Sequence, residues 1–150
     1  MSAFGIDVDE EAVCLFPEGT GKRDALNQMV DAIAKTGCVT DVEAFRKAVH
    51  DREAVMSTGI GGGVAIPHVR INEVQKPVIG IGISSTGIDF NTLDGLPVRT
   101  VILFAMPSGS QREYLSLLAE VMRTLKPEDF RERLAKCATA AEVIATIDEG

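Results

Sequence analysis

Hydrophobic positions repeat with a helical period at both ends of the chain and as short unbroken runs in its middle. Across residues 22–36, Leu26, Met29, Val30 and Ile33 fall at i, i+3, i+4 and i+7, one helix face, and Gly37 supplies a stop. A second helix opens at Thr40-Asp41-Val42-Glu43, a capping-box pattern, and sets Val42, Phe45 and Val49 on one face. A third opens at Ser110-Gln111-Arg112-Glu113 with the same pattern and carries the stripe Tyr114, Leu117, Leu118, Val121, Met122 and Leu125. Two short helices finish the chain. Residues 127–137 turn Phe130 and Leu134 inward, and residues 139–147 begin at a Thr139-x-x-Glu142 cap.

Between the second and third helices the apolar runs shorten and gain β-branched residues. Residues 64–66, 78–83 and 98–105 read as buried strands bounded by turns, with a further strand at 12–16. Asp94-Gly95 marks the turn before the last of them. Helices at both ends with strands between predict an α/β or α+β layered domain, and a mixed sheet is expected.

Composition narrows the functional classes. At 150 residues and 45% hydrophobic, residues 1–150 are expected to form a single domain with a core that needs no disulfide or metal. Cys14, Cys38 and Cys137 are odd in number and show no metal spacing, so reduced, buried thiols are expected. A net charge of −7 argues against a nucleic-acid partner and suits docking on a basic protein surface. Residues 1–7 carry no leader pattern. No run approaches the roughly 18 apolar residues of a membrane span. A cytoplasmic protein is expected, with no direct membrane insertion.

The informative stretch is Ser57-Thr58-Gly59-Ile60-Gly61-Gly62-Gly63-Val64-Ala65-Ile66-Pro67-His68. Its glycines disfavour regular structure and let backbone approach a bound group, and their N–H groups could form an anion nest. A short strand is expected to end at Pro67, which pins the backbone before His68. A histidine so placed is a candidate nucleophile, although a lone histidine near glycines more often serves a structural or surface role. The run matches neither the phosphate-loop nor the dinucleotide fingerprint.

Arg52 shifts the balance. It follows Phe45 and Val49 on the inward face of the second helix, where a charge is costly unless it emerges at a site or finds a partner. Its guanidinium would offer a planar fork to phosphate oxygens, and the rival reading is a salt bridge closing the helix.

Arg52-Glu53, Ser57-Thr58-Gly59-Ile60-Gly61 and Ala65-Ile66-Pro67-His68 together resemble the enzyme IIA domain of the fructose–mannitol class of the bacterial phosphotransferase system, including its nitrogen-regulatory branch. Lys22, Gly37-Cys38-Val39, Gly87-Ile88-Asp89-Phe90, Asp94-Gly95-Leu96-Pro97-Val98 and Tyr114-Leu115 extend the resemblance along the chain. It implies one α/β domain with a mixed, roughly five-stranded sheet and helices on both faces. It further implies that His68 accepts a phosphoryl group from a histidine phosphocarrier protein and passes it to a IIB-type acceptor, with Arg52 stabilising the group. Ser57, Thr58, Gly59, Gly61 and Tyr114 are the other phosphoryl-site candidates. The family commonly carries a second histidine where this chain has Tyr114. The tyrosine could donate a hydrogen bond to phosphoryl oxygen or simply cap the apolar stripe, but it is no cation near neutral pH.

His50, among Arg46, Lys47 and Glu53 at helical spacing, reads as part of a solvated face. No metal-ligand cluster, cofactor or nucleotide motif is visible, so a protein is the expected phosphoryl donor. The 150 residues hold no IIB or membrane IIC portion, which together with Tyr114 leaves room for a regulatory switch that holds partner proteins without onward transfer. A chain keeping the fold without phosphorylation is the third reading, and the Arg52–His68 pair counts against it.

Overall fold

The computed structural model describes residues 4–149; the N-terminal stretch read for a leader begins at Met1, outside them. Its elements run β1 (Val13–Leu15), α1 (Lys22–Ala34), α2 (Val42–Val55), β2 (Gly59–Gly61), β3 (Val64–Ala65), β4 (His68–Ile71), β5 (Val78–Ile88), β6 (Val98–Pro107), α3 (Gln111–Leu125), α4 (Glu128–Ala135) and α5 (Ala140–Glu149). The sheet is mixed. Its order is β1-β5-β6-β3-β2, with β4 also on β6. β5 and β6 pair antiparallel, β2 and β3 likewise, and the remaining pairs are parallel.

β6 explains the layering. Val101, Leu103 and Ala105 join the core that Leu26, Met29 and Ile33 of α1 and Phe45 and Val49 of α2 complete. Ile102, Phe104 and Met106 turn the other way, into a second core with Leu117 and Val121 of α3, Phe130 and Leu134 of α4, and Val143 and Ile147 of α5. Successive strand side chains alternate between faces, so a strand covered on both reads as an unbroken apolar run. No helix among the described residues is long and apolar enough to cross a membrane.

Among the described residues the sheet has six strands where roughly five were expected, because the strand beside β6 is broken in two. Val64 and Ala65 pair with Thr100 and Val101, and His68 to Ile71 pair with Phe104 to Pro107 at the same offset. Pro67 interrupts without ending the run: it cannot donate, but its carbonyl accepts from the Phe104 N–H at 2.9 Å. His68 therefore starts a strand and does not close one. The glycine stretch is also more regular than expected, since β2 and β3 form a small hairpin. Gly61, Gly62 and Gly63 have φ of 92°, 66° and 81°, which only glycine adopts freely.

Two caps differ from the sequence reading. Asp41, not Thr40, caps α2, its carboxylate accepting from the Ala44 N–H at 3.0 Å. The Ser110 hydroxyl donates to the Pro107 carbonyl and leaves the α3 capping box unmade. At Thr139 the N-cap half of the box forms: its hydroxyl oxygen accepts from the Glu142 N–H at 3.1 Å, and its proton goes to the Glu142 carboxylate. Of the three free thiols only Cys38 is fully buried. Cys14 is half-buried, and burial pushes its thiol up to about 11.

Candidate functional site

The alternation of β4 sets the site. Val69 and Ile71 face the α1–α2 core, so His68 and Arg70 project to the opposite side of the strand, toward α3. Among the described residues β4 has β6 on one side and no strand on the other, which leaves His68 half-buried at a sheet edge. There Tyr114, in the first turn of α3, stacks on it: the ring centroids are 4.7 Å apart and the planes 23° from parallel. Phe104, the β6 partner of His68, meets Tyr114 edge-on at 5.4 Å and holds that ring from behind. Arg70 lies over the Tyr114 ring with its guanidinium carbon 5.7 Å from the centroid, in the range of a cation–π contact.

Burial lowers the pKa of His68, and Arg52 and, more weakly, Arg70 push it down further. A backbone hydrogen bond at Ile66 opposes them by favouring the protonated ring. Burial raises the Tyr114 phenol against the pull of Arg70 and Arg52, so it stays protonated. The edge thus presents a neutral imidazole, fixed on one side by a tyrosine ring and influenced by two guanidinium groups. Such an arrangement can attack an electrophile and stabilise the anionic charge that develops beside it.

Arg52 reaches this site without being the inward residue. The buried face of α2 runs Phe45, Val49 and Glu53; Arg52 stands one position to the side, partly exposed. One guanidinium nitrogen donates to the Met56 carbonyl at 3.0 Å, a closing bond to the helix end, and no carboxylate pairs with it among the described residues.

The buried residue is Glu53, 7% exposed, which sequence reading placed on a solvated face with His50. Both carboxylate oxygens accept from the Thr58 N–H, at 3.1 and 3.0 Å, and one also accepts from the Thr58 hydroxyl at 3.3 Å. Lys22 of α1 lies 3.0 Å from the same carboxylate. Its ammonium also sits over the Phe90 ring. Thr58 in turn accepts from the Ile66 N–H at 3.0 Å, two residues before His68. His50 is not free either: it shares a 2.7 Å hydrogen bond with Asn27 of α1, away from His68.

This network answers the expectation of an anion nest. The Thr58 donors are spent on Glu53, the Ser57 hydroxyl donates to the Phe90 carbonyl, and the Gly59 N–H donates to Ser57 at 3.1 Å. Gly62 donates to Asp94 at 3.0 Å, and a β-carbon on Gly61 would come 3.0 Å from the same carboxylate. At Gly59 a β-carbon would lie 2.1 Å from the Thr92 methyl, so glycine here permits close packing against the 89–97 loop. The glycines build a scaffold in which the Thr58, Gly59 and Gly62 amides already have partners.

Two clefts, of about 500 Å³ and about 780 Å³, lie along residues 75–79 and the start of α3, and neither is lined by His68, Arg52 or Tyr114. Arg70 was missed by sequence reading. The signal was present as His68-Val69-Arg70-Ile71, a period-two pattern masked by the proline before it.

Residues 8–150 match the family described as phosphoenolpyruvate-dependent sugar phosphotransferase system, EIIA 2. A fructose-specific EIIA component of Haloferax volcanii is 30% identical over 93% of this chain and 92% of its own. A nitrogen regulatory protein of Pseudomonas aeruginosa is 30% identical over 88% of each chain. A fructose-specific EIIABC component of Bacillus subtilis is 33% identical over 88% of this chain, which spans only 21% of that larger protein. Among solved structures, nitrogen regulatory protein IIA-Ntr of Neisseria meningitidis superposes with a TM-score of 0.84 at 23% identity, covering 94% of this chain and 96% of that one. The mannitol IIA of Escherichia coli, solved in complex with phosphorylated IIB, gives 0.79 at 22% identity over 95% and 98%. At these identities the two structures establish the fold.

Proposed function

Because the chain belongs to the EIIA 2 family of the phosphoenolpyruvate-dependent sugar phosphotransferase system, we propose that residues 1–150 act as a phosphoryl carrier whose nucleophile is His68. The observation that carries this reading is the neutral imidazole at an open sheet edge, clamped by Tyr114 and within the field of two arginines. A ring nitrogen attacks phosphorus in line, the new N–P bond forming as the donor's bond to phosphorus breaks. The other nitrogen keeps its proton. Arg52 stabilises the equatorial oxygens, and the Glu53–Thr58–Ile66 chain holds the backbone on which His68 is mounted.

A histidine phosphocarrier protein is the donor in this reading, and a IIB-type domain is the acceptor. The mannitol IIA complex with phosphorylated IIB supports the second, because that protein shares this fold. The open edge suits a protein partner better than a small molecule, which would use a cleft. The cytoplasm, where such a relay operates, is the proposed location. A second reading is favoured by the nitrogen regulatory relative: phosphorylation of His68 would switch protein partners without onward transfer. The test is to charge the protein through a phosphocarrier relay from phosphoenolpyruvate and map the acid-labile phosphate. His68 should carry it, and chase with a IIB domain should remove it if the chain is a transport carrier. Full labelling of His68→Ala refutes the proposal.

A further inference from the structure

We propose that Arg70 is a second phosphoryl-binding cation, held beside His68 by the face of Tyr114. The inference rests on the reading of His68 as the phosphoryl acceptor. Strand alternation alone places Arg70 on the same face as His68, two residues along. Tyr114 joins them, since one ring stacks on His68 and lies beneath the Arg70 guanidinium. The Arg70 side chain is exposed and enters no ion pair or hydrogen bond among the described residues. Elsewhere Arg46, Arg99, Arg123 and Arg133 each pair with a carboxylate, and Arg131 donates to the Leu125 and Lys126 carbonyls. A guanidinium resting on an aromatic platform next to a nucleophile, with its donors free, is arranged to receive an anion.

The two arginines would divide the work. Arg52 comes from the end of α2 and is tied to the Met56 carbonyl. Arg70 comes from β4 on the α3 side and has no such tether. As the N–P bond to His68 forms and the donor's bond breaks, both guanidinium groups face charge spread over three oxygens. Tyr114 is then a positioning residue: its ring places Arg70, and its hydroxyl is secondary. Arg52 from α2, Arg70 from the same strand, Tyr114 from α3 and the Ile66 backbone are the groups that bear on His68.

The experiment uses the full chain with Arg70→Gln, Arg70→Lys, Tyr114→Phe, Tyr114→Leu and the Arg70→Gln/Tyr114→Leu double variant. Labelling rate through the phosphocarrier relay, melting temperature and an imidazole NMR titration of His68 are measured for each. Arg70→Gln should label about tenfold slower or worse, as loss of a charge-assisted contact implies. It should melt like the parent, with the His68 midpoint moved up because a nearby cation is gone. Arg70→Lys should recover only part of the rate. Tyr114→Leu should slow labelling, Tyr114→Phe should restore most of that loss, and the double variant should fall short of the two single losses combined, since part of the Tyr114 effect runs through Arg70 and the rest through its stack on His68. Arg70→Gln labelling within twofold of the parent overturns the proposal, even if the His68 midpoint moves. So does full additivity in the double variant. A parent chain that takes no phosphate on His68 sinks the carrier reading itself, and the Arg70 claim with it.

Discussion

Arg52 and Glu53 are neighbours on one helix, yet they belong to two opposite electrostatic regions. Glu53 is buried, and its oxygens are engaged by Thr58 and Lys22. Arg52 and Arg70 stand at the surface with no carboxylate partner among the described residues. A buried charge persists only where the protein satisfies it, so the Glu53 network is scaffold. A guanidinium left unneutralised beside the proposed nucleophile is available to something from outside. On the proposed reading, the contrast separates charge that holds the fold from charge that serves the chemistry, one residue apart.

The scaffold side should show the largest effect on stability. Glu53→Ala strands Lys22 and the Thr58 donors and is expected to cost about 3 kcal/mol, at the low end for a broken buried pair because Lys22 is partly exposed. Denaturant unfolding checks it, and a loss under about 1 kcal/mol would erase the distinction. On the chemistry side, Arg52→Lys should leave unfolding nearly unchanged and slow labelling by roughly tenfold, since a point charge does not replace a planar fork. A lower melting temperature with an unchanged rate would make Arg52 a helix-closing residue.

The pH dependence is a finer probe. The pKa of His68 is lowered from 6.5. Its neutral, nucleophilic form should therefore predominate at neutral pH and be lost as pH falls through that lowered value. Arg52→Gln should move this acid limb upward, and a limb that stays in place would remove Arg52 from the site. The smallest effect is expected at His50. His50→Ala loses one hydrogen bond to Asn27, on the order of 1 kcal/mol, and labelling should not change.

Much of this architecture is legible in the sequence, and the unreadable parts have physical causes. The helix stripes and the long runs of β5 and β6 declare themselves because burial on one or two faces fixes their spacing. β4 hides behind Pro67, because proline ordinarily ends a ladder and only the register with β6 shows that the strand resumes. β2 hides in glycines whose role is close packing and positive φ. Helical spacing singles out Arg52 but mistakes its direction, since at the last turn of α2 the inward position passes to Glu53, and its partners Lys22 and Thr58 meet it only in three dimensions. Tyr114 is visible as a helix-end aromatic, while its contact with His68 requires the fold.

The central claim is that His68 is the acceptor, in a neutral form held by this site. The most direct measurement is mass-spectrometric mapping of acid-labile phosphate after charging the intact chain through a phosphocarrier relay, with His68→Ala and His50→Ala in parallel. The account predicts one phosphate on His68 in the parent and in His50→Ala, and none in His68→Ala. Phosphate on another residue, or undiminished labelling of His68→Ala, would contradict it.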